Sequence, residues 1–225
     1  MKARLLLEDL DQYLDSLWLT MEKLYAGQTR EVPFHGWHHV KFVAVNARRF
    51  AAELSADRVR AEIAGLVHDV NYLVAARSDA ADGRALRFKI LAGAGMARPE
   101  ISVIEDIVVS AETQSRGKDI SPEAMALSDA DTLFKALPIT PVVLAPLYMR
   151  ETGSSLRELA EKIVGEQVPL RDNGIYFYSE SAKRKYERWG DVNLALWASI
   201  LDALDDASVM ELVQDVAKYT EIAAE

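Results

Sequence analysis

Apolar residues in this chain recur at intervals of three and four along most of its length. Leu6, Leu10, Tyr13, Leu14, Leu17, Met21 and Leu24 follow that spacing, as do Ile63, Leu66, Val67 and Val70, and again Ile101, Ile104, Ile107 and Val108. Such a period places one stripe of side chains on a single helix face, whereas a strand needs alternation every second residue. Alternating runs are scarce here. The pattern therefore predicts an all-α chain whose helices bury their apolar stripes against one another. No internal repeat, low-complexity tract or Gly/Ser linker divides it, so it reads as one domain over residues 1–225.

Helix punctuation supports the same division. A first helix is expected over 3–26, stopped by Gly27, with a polar connector to Pro33. A second should begin near Gly36 or Trp37 and run to about Leu54. Ser55-Ala56-Asp57 supplies caps for a third, over 57–70. Further helices are expected over 82–93 and 99–112, the second with Pro99 in its first turn. Ser121-Pro122-Glu123 starts a helix carrying Asp129 and Asp131, and Pro138, Pro141 and Pro146 break or offset the next helical stretch. Ser155 to about Gly165, then 179–204 and 206–223, read as helices, with a loop over 168–174.

Half of the residues are hydrophobic, enough for a sizeable core. With 26 Lys and Arg against 35 Asp and Glu, the net charge is −9, which argues against broad nucleic-acid binding and leaves room for a small anion in a local basic pocket. The absence of Cys excludes disulfides, thiolate metal sites and a Cys nucleophile. The N-terminal segment MKARLLLEDLDQYL is too acidic and too briefly apolar for a signal peptide, and no apolar run reaches membrane-spanning length. A cytoplasmic protein is expected, with no membrane association. The amphipathic terminal helices could pack on the same chain or form a homodimer.

Against this background Leu66-Val67-His68-Asp69-Val70 stands out. A His and an Asp among aliphatics each need a partner, because an unpaired buried polar group is costly. The chain has four His: His35, His38 and His39 in one five-residue window, and His68. With Asp131, the residues His39, His68 and Asp69 make two imidazoles and two carboxylates, a plausible donor set for a divalent cation. A cation held there would polarise a phosphoryl oxygen and acidify a water. Taken singly, the same residues have plainer readings. His38 reads as an ordinary surface residue, and Asp129 and Asp131 as caps or solvated charge. The spacing alone leaves both readings of the His–Asp pair open.

These residues resemble a known family. His39, the His68-Asp69 pair and Asp131 match the H…HD…D signature of the HD-domain superfamily of metal-dependent phosphohydrolases. Trp18, Tyr25, Arg30 and Phe34-His35-Gly36-Trp37-His38-His39-Val40 are similar to one bacterial branch that reads W…Y…R.YHN..HI. Leu66 to Tyr72 resembles its FHDVVY segment, Ser128-Asp129-Ala130-Asp131 its DADL segment, and Tyr186-Glu187 to Asn193-Leu194 its E..AR.NL helix.

The resemblance implies an HD-type helical bundle with its core at about 30–135 and additional N- and C-terminal helices. It implies one divalent metal ion (Mn, Fe, Co, Ni, Zn or Mg) on His39, His68, Asp69 and Asp131, Asp131 being preferred to Asp129 as the second Asp of its triplet. Asp129 would cap a helix or orient a ligand. The implied activity is hydrolysis of a small phosphorylated substrate, such as a nucleotide, by water activated at the metal. His35, Asp69, Arg30 and Arg77 are the candidate catalytic residues, the two arginines for the phosphoryl oxygens. Arg84, Lys89, Arg116 and Lys118 read as surface charges, and Glu62 as a solvated one. Two departures weigh on activity. No His follows His68, which limits the site to one tightly held metal, and Tyr72 stands where relatives place an acid/base Glu. A non-catalytic scaffold that binds a phosphorylated ligand or a protein partner is the alternative.

Overall fold

A computed structural model of the chain describes residues 2–28, 31–76 and 78–219. The helices are α1 (Lys2–Ala26), α2 (Trp37–Glu53), α3 (Arg58–Val67), α4 (Asn71–Val74), α5 (Arg84–Gly93), α6 (Arg98–Ser110), α7 (Pro122–Ala136), α8 (Ala145–Thr152), α9 (Leu156–Asp172), α10 (Glu180–Leu204) and α11 (Ala207–Ala217). No strand occurs among the described residues, as the apolar period predicts. No single helix among them is long and apolar enough to cross a membrane.

The caps expected from the sequence close the helix ends that matter most for the site. Asp57 accepts from the N–H groups of Val59 and Arg60 at the start of α3, and Ser121 from that of Ala124 at the start of α7. At the start of α9, Ser155 and Glu158 form a reciprocal capping box.

Helix α2 lies between α3 and α7 and carries the centre of the core. Val40, Val43, Ala44, Ala47 and Phe50 of α2 meet Ile63, Ala64, Leu66 and Val67 of α3 and Leu127, Ala130 and Leu133 of α7. Helix α1 covers α3 with Leu10, Leu14, Leu17 and Met21, and α9 and α10 pair beside α7. The α2–α3 approach is close because Gly65 faces Ala44. A Cβ at Gly65 would stand 2.6 Å from the Ala44 Cα, which is backbone and cannot turn aside. Gly65→Ala should therefore force the two helices apart and cost about 1–3 kcal/mol, despite its better helix propensity. The urea midpoint of unfolding checks this; an unchanged or raised midpoint would contradict it.

The structure differs from the sequence expectations at several joints. The helix expected over 57–70 ends at Val67, and the chain tightens through His68, Asp69 and Val70 into α4. There Tyr72 and Leu73 donate to the carbonyls of Asp69 and Val70, three residues back instead of four. The segment 168–174, expected as a loop, is largely the last turns of α9, with Pro169 inside the helix. The proline forfeits the intrahelical bond to the Gly165 carbonyl, and α9 ends three residues later at Asp172. The three prolines after α7 make a π-helical turn at Thr140–Leu144 and a bend of 75° between α7 and Thr140–Thr152. Helix α11 ends at Ala217, and residues 220–223 of the helix expected there lie outside the described residues.

Candidate metal centre

The tightening after α3 decides where His68 and Asp69 point. His68 Nδ1 is 2.8 Å from the carbonyl oxygen of Gly65. A carbonyl only accepts, so Nδ1 carries the proton, and in the neutral ring Nε2 is left with a free lone pair. That nitrogen lies 3.1 Å from His39 Nε2 and 3.2 Å from Asp69 Oδ2, and His39 Nε2 lies 2.9 Å from the same Asp69 oxygen. His39 comes from the first turn of α2, one helix away.

Three donor atoms thus sit at mutual distances of 2.9–3.2 Å. Adjacent donors around an octahedral ion with bonds of about 2.1 Å are about 3.0 Å apart. The triangle therefore has the dimensions of one face of such a coordination shell, and the mixed imidazole–carboxylate set suits a divalent transition ion. Asp131, on α7, borders the triangle. Its Oδ1 is 3.7 Å from His39 Nε2, and its Oδ2 is 2.6 Å from Lys135 Nζ, one helical turn on.

The electrostatics of the cluster are strongly coupled. Burial pushes the Asp69 carboxyl up, but the His68 and His39 imidazoles outweigh that and hold it well below the ordinary range. Burial lowers the His39 imidazole in spite of Asp69. For His68, burial also lowers, yet the charge of Asp69 wins and the ring is held above its usual value. His39 Nδ1 is buried and has no hydrogen-bonding partner among the described residues. Its ring packs edge-to-face on Phe134, with centroids 4.4 Å apart.

His35 lies one turn before His39 and belongs to a separate proton-bearing unit. Its Nδ1 is 2.5 Å from Glu151 Oε1, and the other oxygen of Glu151 accepts from the backbone N–H groups of Phe34 and His35 at 2.8 and 3.1 Å. Burial raises the Glu151 carboxyl, and these His35 and backbone contacts overcome it and hold it below its ordinary value. The His35 ring stacks on Tyr72 with centroids 3.5 Å apart. Burial and the Asp69 charge push the Tyr72 phenol far up, which removes it as a base near neutral pH. Glu151 was not among the residues expected from the sequence. It lies on α8, 116 residues from His35, and nothing in its own neighbourhood marks it.

Other expectations sort plainly. Asp129, two residues before Asp131, points the opposite way. It is fully buried and accepts from the N–H groups of Tyr178 and Ser179 at 2.6 and 2.7 Å, before α10. Arg116 faces it at 3.5 Å and donates also to the carbonyl of Ser128 and the hydroxyl of Thr132. Arg116 is therefore a buried structural cation and not a surface charge. Glu62 is likewise not solvated. It is buried and accepts from Trp18 Nε1 at 2.9 Å and Arg48 at 2.6 Å, tying α1 and α2 to α3. Arg84, Lys89 and Lys118 are exposed. Arg30 and Arg77 lie outside the described residues.

A cavity of about 650 Å³ opens over the cluster. His35, His39, His68, Asp69, Tyr72, Asp131 and Lys135 line it together with Tyr148 of α8, Ile163 and Gln167 of α9, Tyr176 between α9 and α10, and Trp197 of α10. That size holds a small organic molecule beyond the phosphoryl group itself.

Comparison with known proteins gives a family for part of the chain and a structural relative for most of it. Residues 36–135 match the model of the HD domain family. The matched segment spans α2 to α7 and includes His39, His68, Asp69 and Asp131; α1 and α8 to α11 lie outside it. A crystal structure of a protein from Lactobacillus plantarum, a structural genomics target, has the same fold, with a TM-score of 0.63 at 15% identity over 86% of this chain and 95% of that one. No curated protein matches the sequence.

Proposed function

From this chain's membership of the HD-domain superfamily of metal-dependent phosphohydrolases, we propose that it hydrolyses a phosphate ester of a small molecule, with one divalent ion held by His39, His68, Asp69 and Asp131. The observation that carries the reading is the triangle of His39, His68 and Asp69 donors, already spaced as around one ion. Such an ion supplies two things, polarisation of a phosphoryl oxygen and an acidified water.

The chain's own residues do the rest. The Gly65 carbonyl holds the His68 tautomer, so that Nε2 faces the cluster. Hydrolysis forms a bond from water oxygen to phosphorus, breaks the ester P–O bond and leaves an alkoxide that needs a proton. His35 is the group suited to deliver it. It lines the cavity, and Glu151 fixes its ring through Nδ1, which leaves Nε2 for exchange. Tyr72 contributes as a stacking surface for His35. A nucleoside monophosphate is of the size the cavity admits.

Protein purified without chelator or affinity nickel is expected to carry about one Mn, Fe, Co, Ni, Zn or Mg ion per chain by elemental mass spectrometry. With that metal added, it should release inorganic phosphate from a member of a phosphomonoester panel. No metal bound and none taken up on titration would sink the reading. Metal and ester bound with no phosphate released over hours would replace it with a binding scaffold, for which Tyr72 at the acid/base position is the favouring feature.

A further inference from the structure

Lys135 stands four residues after Asp131, on the same face of α7. Its side chain is one-third exposed (33%) and lines the cavity with the His–Asp cluster. Asp131 lies between the two: Oδ1 faces His39 Nε2 at 3.7 Å, while Oδ2 meets the Lys135 ammonium at 2.6 Å. We infer that Lys135 is a phosphate-binding residue of this site, its ammonium donating to a non-bridging oxygen of the substrate's phosphoryl group. The inference rests on the metal-dependent reading given above.

Charge is the first argument. A divalent ion with two carboxylates and two neutral imidazoles is neutral as a unit. An arriving phosphate dianion would then find polarised bonds but no net attraction. Lys135 turns the same cluster into a site with one positive charge, and in a partly desolvated cavity that charge acts with little screening.

Geometry is the second argument. The two oxygens of a carboxylate and two oxygens of a phosphoryl group are similarly spaced. A phosphoryl group beside Asp131 can therefore span the same pair of cationic centres that Asp131 spans. The third argument is that the ion pair explains little by itself. A part-exposed i, i+4 pair adds little to helix stability, and α7 is already held by its buried side. Among the cations considered from the sequence, Arg116 is spent on Asp129, Ser128 and Thr132. Lys162, which also lines the cavity, pairs with Glu166 at 2.8 Å, a carboxylate that among the described residues has no ion pair with the His–Asp cluster, whereas the carboxylate of Asp131 faces both Lys135 and His39.

The test uses the full chain loaded with Mn²⁺ and inorganic phosphate as the probe. Metal content is read by elemental mass spectrometry and phosphate affinity by calorimetry, for wild type, Lys135→Met and Lys135→Arg. Lys135→Met is expected to keep the wild-type metal content and to weaken phosphate binding about tenfold to a hundredfold. Lys135→Arg, which keeps the charge, should recover most of that. Phosphate affinity within about twofold of wild type in metal-loaded Lys135→Met would overturn the assignment alone, as the change is far below that of a charged hydrogen bond. Loss of the metal from Lys135→Met would also overturn it, since the ammonium would then act on Asp131 and not on phosphate. A wild-type chain that binds no Mn²⁺ would overturn the metal-dependent reading, and this assignment with it.

Discussion

His68→Ala is expected to leave the purified protein nearly free of metal and without phosphate release. Even residues that merely orient a ligand cost about 10- to 100-fold in metal affinity when removed, and a donor atom should cost at least as much. The rate should fall about a thousandfold or more, because the metal's stabilisation of phosphoryl charge goes with it. The variant also removes the donor to the Gly65 carbonyl and opens space beside α2, a stability cost of about 1–3 kcal/mol. Metal content must therefore be read together with a thermal melt. Asp131→Ala separates the two effects: it too should lower metal content, but its side chain is about a quarter exposed (27%) and its removal leaves no buried group unpaired, so the fold should be little affected. Folded His68→Ala that keeps a full complement of metal and full turnover would remove the cluster from any catalytic role.

The second large effect is on stability and falls two residues from Asp131. Asp129→Ala is expected to destabilise the protein by about 3–5 kcal/mol, or roughly 10 °C in Tm. The change strands the N–H groups of Tyr178 and Ser179 at the start of α10, and it leaves the buried Arg116 guanidinium without its carboxylate. Burial pushes the Asp129 carboxyl up, and Arg116 and the two N–H donors pull it only part of the way back. The side chain is therefore held by a fully enclosed network, where removal of one partner costs most. Compared as metal-free proteins, so that loss of a bound ion does not enter, Asp131→Ala should stay within about 1 kcal/mol of wild type, as expected of a part-exposed pair. Melting both variants side by side tests the division of labour. Equal losses of stability would contradict it.

The two aspartates show how far the sequence could be read. Both sit on one predicted helix, and resemblance to the HD signature singled out Asp131. What Asp129 does depends on the segment at Tyr178 and Ser179, some fifty residues on, which nothing near Asp129 announces. Glu62 shows the opposite failure. Read as a surface charge, it is the buried partner of Trp18 and Arg48, because the α1–α3 packing encloses a position that an isolated amphipathic helix would leave wet. Lys135 was within reach of the spacing rule, being one turn beyond Asp131. Glu151 was not, as a pairing over 116 residues leaves no local pattern.

By itself the sequence determined the helical class and most helix ends, and marked His and Asp as possible ligands, while the choice of Asp131 came from likeness to the HD signature. Those properties are local: the apolar period, the caps and the chemistry of His and Asp depend on neighbours within a turn or two. Tertiary structure alone decided that His39 and the His68-Asp69 pair converge to within 3.2 Å, because that distance is set by how closely α2 passes α3 at Gly65. It alone brought Glu151 to His35 and residues of α9 and α10 into the lining of the cavity. Contacts between distant segments arise from the burial of whole helix faces at once, so no single stretch of the chain encodes them.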